Sequence, residues 1–350
     1  MTNALFERLP GLRGRVPWAA IAATPTPVAE LPAPAGFGGR LLVKRDDLTS
    51  PLYGGNKVRK FEYLLADAER GGAGALVTLG GIGSNQCLGA TLHGRARGHA
   101  VDLSLMRQPV TDGVRRALQG MIVAGARIRY AESLIGALRN EWRAMREGRR
   151  AGERPYHIPF GATNALGTLG YVTAALELAG QVREGTCPDP DVQLVAAGTC
   201  GTAAGLLVGT RLAGMKSRLV AVGVVHRTLL TRTLILWFAN RAAALLSRLD
   251  AAVPRMRFGS ADVIVAGDQL GDGYGHATAA ARRAVDWARP HLALETTYTG
   301  KALAALLRPH APLAGARVVL FWNTQNSSPF STAATFDSLP ERLRELLARA

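Results

Sequence analysis

Apolar positions along this chain fall into two rhythms that alternate. Short unbroken runs occur at Arg40-Leu41-Leu42-Val43-Lys44, Ala75-Leu76-Val77-Thr78-Leu79, Val101-Asp102-Leu103-Ser104-Leu105, Val192-Gln193-Leu194-Val195-Ala196, Leu219–Val225 and Arg317–Trp322. Runs of this length, bounded by glycine-rich turns, predict strands buried on both faces. Between them apolar residues return every three or four positions, as in Val58, Phe61, Leu64, Leu65 and Ala68, which predicts a helix with one packed face. A further helix is expected through Ala90 and Leu92, and a charged helix or connector from about Arg139 to Glu153. The strand–turn–helix succession predicts an α/β protein with parallel sheets covered by helices.

Outside this rhythm, the proline-bearing region through Gly39 reads as an irregular approach to the first core strand. The final helix mixes charged and apolar residues as a packing helix does, and no internal repeat is visible. With 350 residues and 48% apolar content, the chain can bury two cores, and two domains are expected. The formal charge of +16 comes from arginines spread along the sequence, without a basic tract interleaved with aromatics, which argues against nucleic acid as a partner. Cys87, Cys187 and Cys200 lack metal-site spacing, and their odd number argues against a disulfide scaffold, so reduced cytoplasmic thiols are expected and no metal. No secretory leader is read at the amino terminus. The apolar stretch Leu229–Phe238 is interrupted by Arg232 and too short for a membrane span. It reads as a buried helix, a subunit contact or a cover over a site.

The candidate chemistry lies in the turns. Only five of the basic residues are lysines, and Lys57 sits in Tyr53-Gly54-Gly55-Asn56-Lys57, where a flexible turn meets a helix. The positive end of a helix disfavours a charged amine and so favours a nucleophilic one. A second turn, Gly198-Thr199-Cys200-Gly201-Thr202, follows an apolar strand and opens another helix, where backbone N–H groups and the Thr199 and Thr202 hydroxyls can cradle a phosphate. It matches neither the Walker A pattern nor the dinucleotide fingerprint. An amine paired with a phosphate cradle points to pyridoxal 5'-phosphate held by Lys57. Lys44 falls within a strand and Lys60 lies further into the helix, so both are weaker candidates. Packing is the expected role of Cys200, which has no local base. In Ser84-Asn85-Gln86, Asn85 can bond a cofactor ring oxygen, Ser84 can move a proton or orient substrate, and the turn's N–H groups can take a carboxylate. The same residues can simply cap a helix. Asn164 carries less, since Asn-Ala-Leu-Gly can serve as a turn between domains.

Taken in order, these segments resemble the fold-type-II pyridoxal-phosphate family of 1-aminocyclopropane-1-carboxylate deaminases and D-cysteine desulfhydrases, from about Leu41 to Thr324. The similarity is carried by Lys44-Arg45-Asp46-Asp47-Leu48, Gly54–Lys60, Gly80–Gln86, Asn164–Gly167, Gly198–Thr202, Gly273-Tyr274-Gly275 and Tyr298–Ala302. The resemblance implies a tryptophan-synthase-β-like fold with two open, twisted parallel-sheet domains flanked by helices. The larger, cofactor-binding domain would hold residues 1–57 and 161–350 with both chain ends, and the smaller α/β domain residues 58–160. It implies that Ser84, Asn85 and Gln86 face the ring and substrate, that Tyr274 and Tyr298 orient substrate or assist proton transfer, and that Thr324 lies near the pyridine nitrogen. A threonine there would moderate the electron sink, which suits loss of a β substituent. The implied activity is elimination on a small amino acid, D-cysteine first, giving keto acid, ammonia and sulfide. Ring opening of aminocyclopropane carboxylate, β-replacement, racemisation and an inactive fold homologue are the alternatives, the first weakened by Thr299 where the deaminases carry glutamate. Departures at Cys200, Asp272, Gln325-Asn326 and 229–238 suggest a specialised pocket for a larger amino acid or a weakened activity. A homodimer is also implied.

Overall fold

The computed structural model describes residues 2–225, 227–307, 313 and 315–350. Its strands are β1 (Val28–Leu31), β2 (Arg40–Lys44), β3 (Ala75–Gly81), β4 (Ala100–Met106), β5 (Arg127–Ala131), β6 (Pro155–His157), β7 (Val192–Ala197), β8 (Arg218–Gly223), β9 (Ile264–Ala266) and β10 (Val318–Trp322). Its helices are α1 (Ala4–Arg8), α2 (Asn56–Arg70), α3 (Asn85–Ala96), α4 (Asp112–Val123), α5 (Leu134–Arg150), α6 (Ala165–Arg183), α7 (Gly201–Ala213), α8 (Thr228–Leu249), α9 (Ala279–Ala288), α10 (Thr299–Leu306) and α11 (Glu341–Ala348). Two sheets result, a six-stranded one ordered β1-β2-β10-β7-β8-β9 and a four-stranded one ordered β5-β4-β3-β6. All pairings are parallel except β1 with β2. The expected α/β architecture of two parallel-sheet domains flanked by helices is therefore present.

The larger sheet shows why its strands read as unbroken apolar runs. Leu42, Val195, Ala197, Leu219, Ala221, Leu320 and Trp322 point to one core, shared with α1, α6, α7 and α8. The alternate residues Leu41, Val43, Leu194, Val220, Val222, Val319 and Phe321 fill a second core under α9 and α10. Both faces are buried, so both alternate sets are largely apolar, and the polar exceptions Lys44 and Gln193 are hydrogen-bonded inside. The smaller sheet contributes Leu76, Val101, Leu103 and Leu105 to a third core with α2, α3 and α4.

One departure from the sequence reading, and two elements that it anticipated as packing helices, have physical causes. The segment before Gly39 is not irregular throughout: α1 is capped by the Asn3 side chain and buries Leu5 and Phe6, while β1 forms an antiparallel edge strand. Both elements are too short for a period to show, and tertiary burial decides them. The stretch 229–238 belongs to a helix of 22 residues, long and apolar enough to cross a membrane by length and composition alone. It nevertheless packs Ile235, Ala239, Ala242, Ala243 and Leu246 into the first core and leaves Leu229 76% exposed. Finally, α11 places Leu343 and Leu347 in the core of the smaller sheet, with Leu339 just before it, so the carboxyl end of the chain packs there.

Candidate active site

The carboxyl ends of strands from both sheets open onto one cavity of about 450 Å³. It is lined by Lys57, Ser84, Asn85, Gln86, Gly198, Thr199, Cys200, Thr202, Tyr274, Tyr298 and Thr324, among others. Of the site residues proposed from sequence, Gly201 lies outside this lining, as do the weaker candidates Asn164, Lys44 and Lys60. Asn56, Asn85, Thr202 and Thr299 place the first turns of α2, α3, α7 and α10 on the same cavity. Four converging helix N-termini make it favourable for anions such as a phosphate and a carboxylate.

Lys57 occupies the second position of α2, after Gly55 at φ 90°. A Cβ on Gly55 would come within 2.8 Å of the Thr324 carbonyl oxygen, so only glycine lets this turn pass under the end of β10. The Asn326 Oδ1 accepts from the Gly54 N–H at 2.6 Å and holds the turn in place. The Lys57 amine donates to Asn56 Oδ1 at 3.2 Å. Burial lowers its pKa from 10.5 to about 8. If this amine captures a cofactor aldehyde in its neutral form, capture by the apo-protein should accelerate ~10-fold per pH unit up to about 8 and level off above it. Stopped-flow absorbance across pH 6–10 checks this, and a rate that kept rising to ordinary lysine pH would show a normally solvated amine.

The other two lysines near this sequence are engaged elsewhere. Lys44 donates to the Thr26 carbonyl, Glu177 and Gln181 at 2.6–2.7 Å. Lys60 is fully buried and donates to the Gly161 carbonyl at 3.2 Å and Thr163 Oγ1 at 3.0 Å. Burial, reinforced by the nearby Lys57 charge, holds its pKa well below the usual lysine range.

The 198–202 turn fits a phosphate. Among the described residues no side chain caps α7, leaving its first N–H groups for an acceptor outside the helix. Thr199 Oγ1 and Thr163 Oγ1 are 2.8 Å apart, and Thr202 Oγ1 accepts from Asn56 Nδ2 at 3.0 Å. Asn56 thus links the lysine to the cradle, a role not read from the sequence although the residue lies within the motif. Cys200 takes φ 68°, a left-handed conformation that favours glycine. Its thiol is 3.5 Å from the Gly198 carbonyl oxygen and 3.6 Å from that of Thr231, fastening the turn to α8. Burial pushes its pKa up to about 12, keeping it protonated and unsuited to nucleophilic work.

Opposite the cradle, Ser84 caps α3, accepting from the Cys87 N–H at 3.2 Å, and also lines the cavity, so capping and site placement coexist. Asn85 Oδ1 accepts from the Tyr53 hydroxyl at 3.0 Å, which fixes the side-chain amide with Nδ2 toward Gln325 Oε1 at 3.4 Å. Gln86 is pinned by Thr78 Oγ1 at 2.9 Å. Asn164, by contrast, caps α6 through the Gly167 N–H at 2.7 Å and lies outside the cavity lining.

Tyr274 and Tyr298 come from separate segments and meet, the Tyr298 hydroxyl donating to that of Tyr274 at 2.9 Å. Glu295 gathers the Thr297, Tyr298 and Thr299 N–H groups at 2.6–2.8 Å and orders the turn beneath Tyr298. Lys301 donates to the Leu270 and Gly273 carbonyls at 2.7 and 3.3 Å and anchors the loop carrying Tyr274. Burial raises the Tyr274 pKa to about 12 and that of Tyr298 further, so both phenols are neutral at physiological pH. With Tyr298 as donor, the Tyr274 proton remains available to a ligand.

The pyridoxal-phosphate dependent enzyme family matches residues 20–324. A D-cysteine desulfhydrase of Klebsiella pneumoniae (strain 342) is 33% identical over 302 residues, covering 84% of this chain and 88% of the relative. The crystal structure of an ACC deaminase homologue superposes with a TM-score of 0.79 at 27% identity, covering 94% of this chain and 96% of that one. Maize serine racemase shares the fold, with a TM-score of 0.60 at 16% identity over 99% of this chain and 97% of its own. With a lysine at the edge of an uncapped phosphate cradle, and a match across most of its length, this chain belongs to the pyridoxal-phosphate dependent enzyme family.

Proposed function

We propose that this protein is a pyridoxal-phosphate-dependent lyase or deaminase acting on a small amino acid, with α,β-elimination from D-cysteine as its best-supported reaction. The observation that carries the reading is the convergence of Lys57, the uncapped start of α7, the Ser84–Asn85 turn and the Tyr274–Tyr298 pair on one cavity. The match to a D-cysteine desulfhydrase supports the substrate.

Lys57 would anchor the cofactor, and Gly198, Thr199, Cys200, Gly201 and Thr202 would hold its phosphate. Asn85, its amide oriented by Tyr53, would offer Nδ2 to the cofactor's ring oxygen, and Thr324 would offer the ring nitrogen a neutral hydroxyl. When bound, the cofactor would supply an electron sink for negative charge developing at the substrate's α-carbon. The N–H groups at the start of α3 receive the substrate carboxylate, with Ser84 and Gln86 shaping that end. Lys57, released from its anchoring role, takes the α-proton as a neutral base. The Cβ–S bond then breaks with its electron pair on sulfur, and the Tyr274 hydroxyl, oriented by Tyr298, supplies a proton on that side. Water completes the release of keto acid and ammonia beside sulfide.

The test is the absorbance of cofactor-loaded protein before and after D-cysteine, with pyruvate and sulfide assayed together. A spectral shift without either product sinks the elimination and leaves β-replacement, racemisation or a catalytically inactive homologue. Tyr298→Phe should lower kcat ~10²-fold with little change in KM, because it removes the hydroxyl that orients Tyr274 but no substrate contact. A rise in KM at unchanged kcat would instead mark Tyr298 as a binding group. Ring opening of aminocyclopropane carboxylate is the second reading, favoured by the similarity to the ACC deaminase homologue. Ammonia release from that compound, without sulfide from D-cysteine, would select it.

The domain division follows as part of this reading: residues 1–57 and 161–350 form the larger body and residues 58–160 the smaller, with the carboxyl-terminal α11 reaching across to pack on the smaller body, and the cavity lies between them. A cytoplasmic homodimer, with no membrane partner, accompanies it, the uncovered side of α8 at Leu229, Leu230 and Trp237 offering an apolar contact surface.

A further inference from the structure

Gln325 follows Thr324 beyond the end of β10 and lines the cavity together with Asn85, yet no step of the proposed reaction uses it. The stretch that carries it is held firmly. Asn326 Oδ1 accepts from the Gly54 N–H at 2.6 Å, the Ser327 hydroxyl donates to Asp47 Oδ2 at 2.7 Å, and that of Ser328 donates to the Ser50 carbonyl at 2.6 Å. Which atoms donate around Gln325 is decided at Tyr53. This residue is 3% exposed, its carbonyl accepting from His93 Nε2 at 2.9 Å and its ring packed T-shaped on Phe330. Burial raises its pKa, so the phenol keeps its proton. A buried hydroxyl must place that proton on an acceptor, and the acceptor it meets is Asn85 Oδ1 at 3.0 Å. Asn85 Nδ2 therefore faces Gln325 and finds Oε1 at 3.4 Å. Gln325 Nε2 and the second Nδ2 proton of Asn85 are left with no acceptor among the described residues. Two amide donors thus stand on one cavity, and none of its described lining residues is a carboxylate that could receive them.

We infer that Gln325 is a second donor, beside Asn85, to the ring oxygen of the bound cofactor, and that Tyr53 is the positioning residue that aims both amides. This role rests on the proposed placement of pyridoxal phosphate in the cavity, with its ring oxygen toward Asn85. Once Lys57 holds the cofactor, one proton is shared between the ring oxygen and the lysine nitrogen. N–H donors at the oxygen stabilise its ionised form and so leave the proton on nitrogen. The carbon beside that charged nitrogen is the better target for an incoming amino group. Gln325 makes and breaks no covalent bond; it sets where this one proton rests. A glutamine suits the position because its Oε1 takes the Asn85 proton while its Nε2 remains to donate. A glutamate would accept from Asn85 equally well but turn a like charge toward the ring oxygen.

The experiment records the absorbance of cofactor-loaded protein without substrate at about pH 8, where an introduced glutamate is ionised. The form with the proton on nitrogen absorbs at longer wavelength than the form with it on oxygen, so the two are read directly. Gln325→Leu and Tyr53→Phe should each lower the ratio of the long- to the short-wavelength form by at least ~10-fold, as expected for one charge-assisted hydrogen bond. The double variant should lose less than the product of the two single effects, because Tyr53 acts partly through Gln325. Gln325→Glu separates a donor from a support for Asn85, since it keeps the acceptor and removes the donor. Its ratio should fall below that of the leucine variant. A glutamate variant with the wild-type spectrum overturns the inference, as Gln325 would then only hold Asn85 in place. An unchanged ratio in the leucine variant overturns it as well. Both results leave the cofactor on Lys57, whereas a wild-type protein that shows no Lys57-dependent band overturns the cofactor placement itself, and the role of Gln325 with it.

Discussion

Lys57→Ala should abolish covalent capture of the cofactor and reduce keto-acid release by at least ~10³-fold, because in the proposed reaction one amine serves as both anchor and base. The fold should survive, since the Lys57 amine makes one hydrogen bond, to the neighbouring Asn56, and belongs to none of the three cores. Borohydride reduction of the loaded wild-type protein followed by peptide mass mapping should place the added mass on Lys57. Lys44 and Lys60 are poor substitutes, as their amines are buried and hold two or three acceptors each. Label on either would mean that the lysine at the helix start is not the anchor. Retention of most activity in the alanine variant would remove Lys57 as the base.

The second large effect is on stability. Arg59, two residues beyond Lys57, is 1% exposed and joins Asp46 and Glu177. Its Nε and Nη2 reach the two Asp46 oxygens at 2.9 and 2.7 Å, while Nη1 and Nη2 reach those of Glu177 at 2.9 and 3.0 Å. Lys44 shares Glu177, and the Tyr171 hydroxyl donates to Asp46 at 2.6 Å. The cluster therefore ties α2 to β2, α6 and the neighbouring loop beneath the turn that presents Lys57. Arg59→Met would leave two buried carboxylates with one lysine between them, at a cost of about 3–5 kcal/mol. Arg59→Lys should recover only part, since an ammonium cannot reproduce two forked contacts. Urea midpoints for the three proteins decide the matter. A methionine variant as stable as wild type would show that the network is dispensable, as buried ion clusters replaced by apolar groups can be.

Arg59 also marks the limit of what a linear reading sees. Its motif, Lys57-Val58-Arg59-Lys60, was visible, yet nothing local separates a buried arginine from a solvated one. The partner carboxylates are supplied from 13 and 118 positions away. Asn56 was equally in view and equally without a role until Thr202 stood 3.0 Å from its amide. The start of α5 is hidden in the linear sequence for a different reason. The charged positions from Arg139 onward were read as a helix or connector, whereas the helix begins at Leu134 and its first turns carry the apolar cavity wall.

What the sequence by itself determined were properties written in neighbouring residues. Predominantly apolar runs such as Val192–Ala197, bounded by turns, read as buried strands, glycine at 55 permits the turn before Lys57, and the stretch after β7 opens a helix at a glycine-rich turn. Backbone sterics and hydrophobic period act within a few residues and survive in the linear order. Tertiary structure alone decided which side chains meet: Tyr274 with Tyr298, Thr163 with Thr199, Arg59 with Glu177, and Leu134 with the rim of the cavity. Those contacts exist only after chain closure has been offset by core burial, and the packing of whole helices, rather than any local preference, sets their distances.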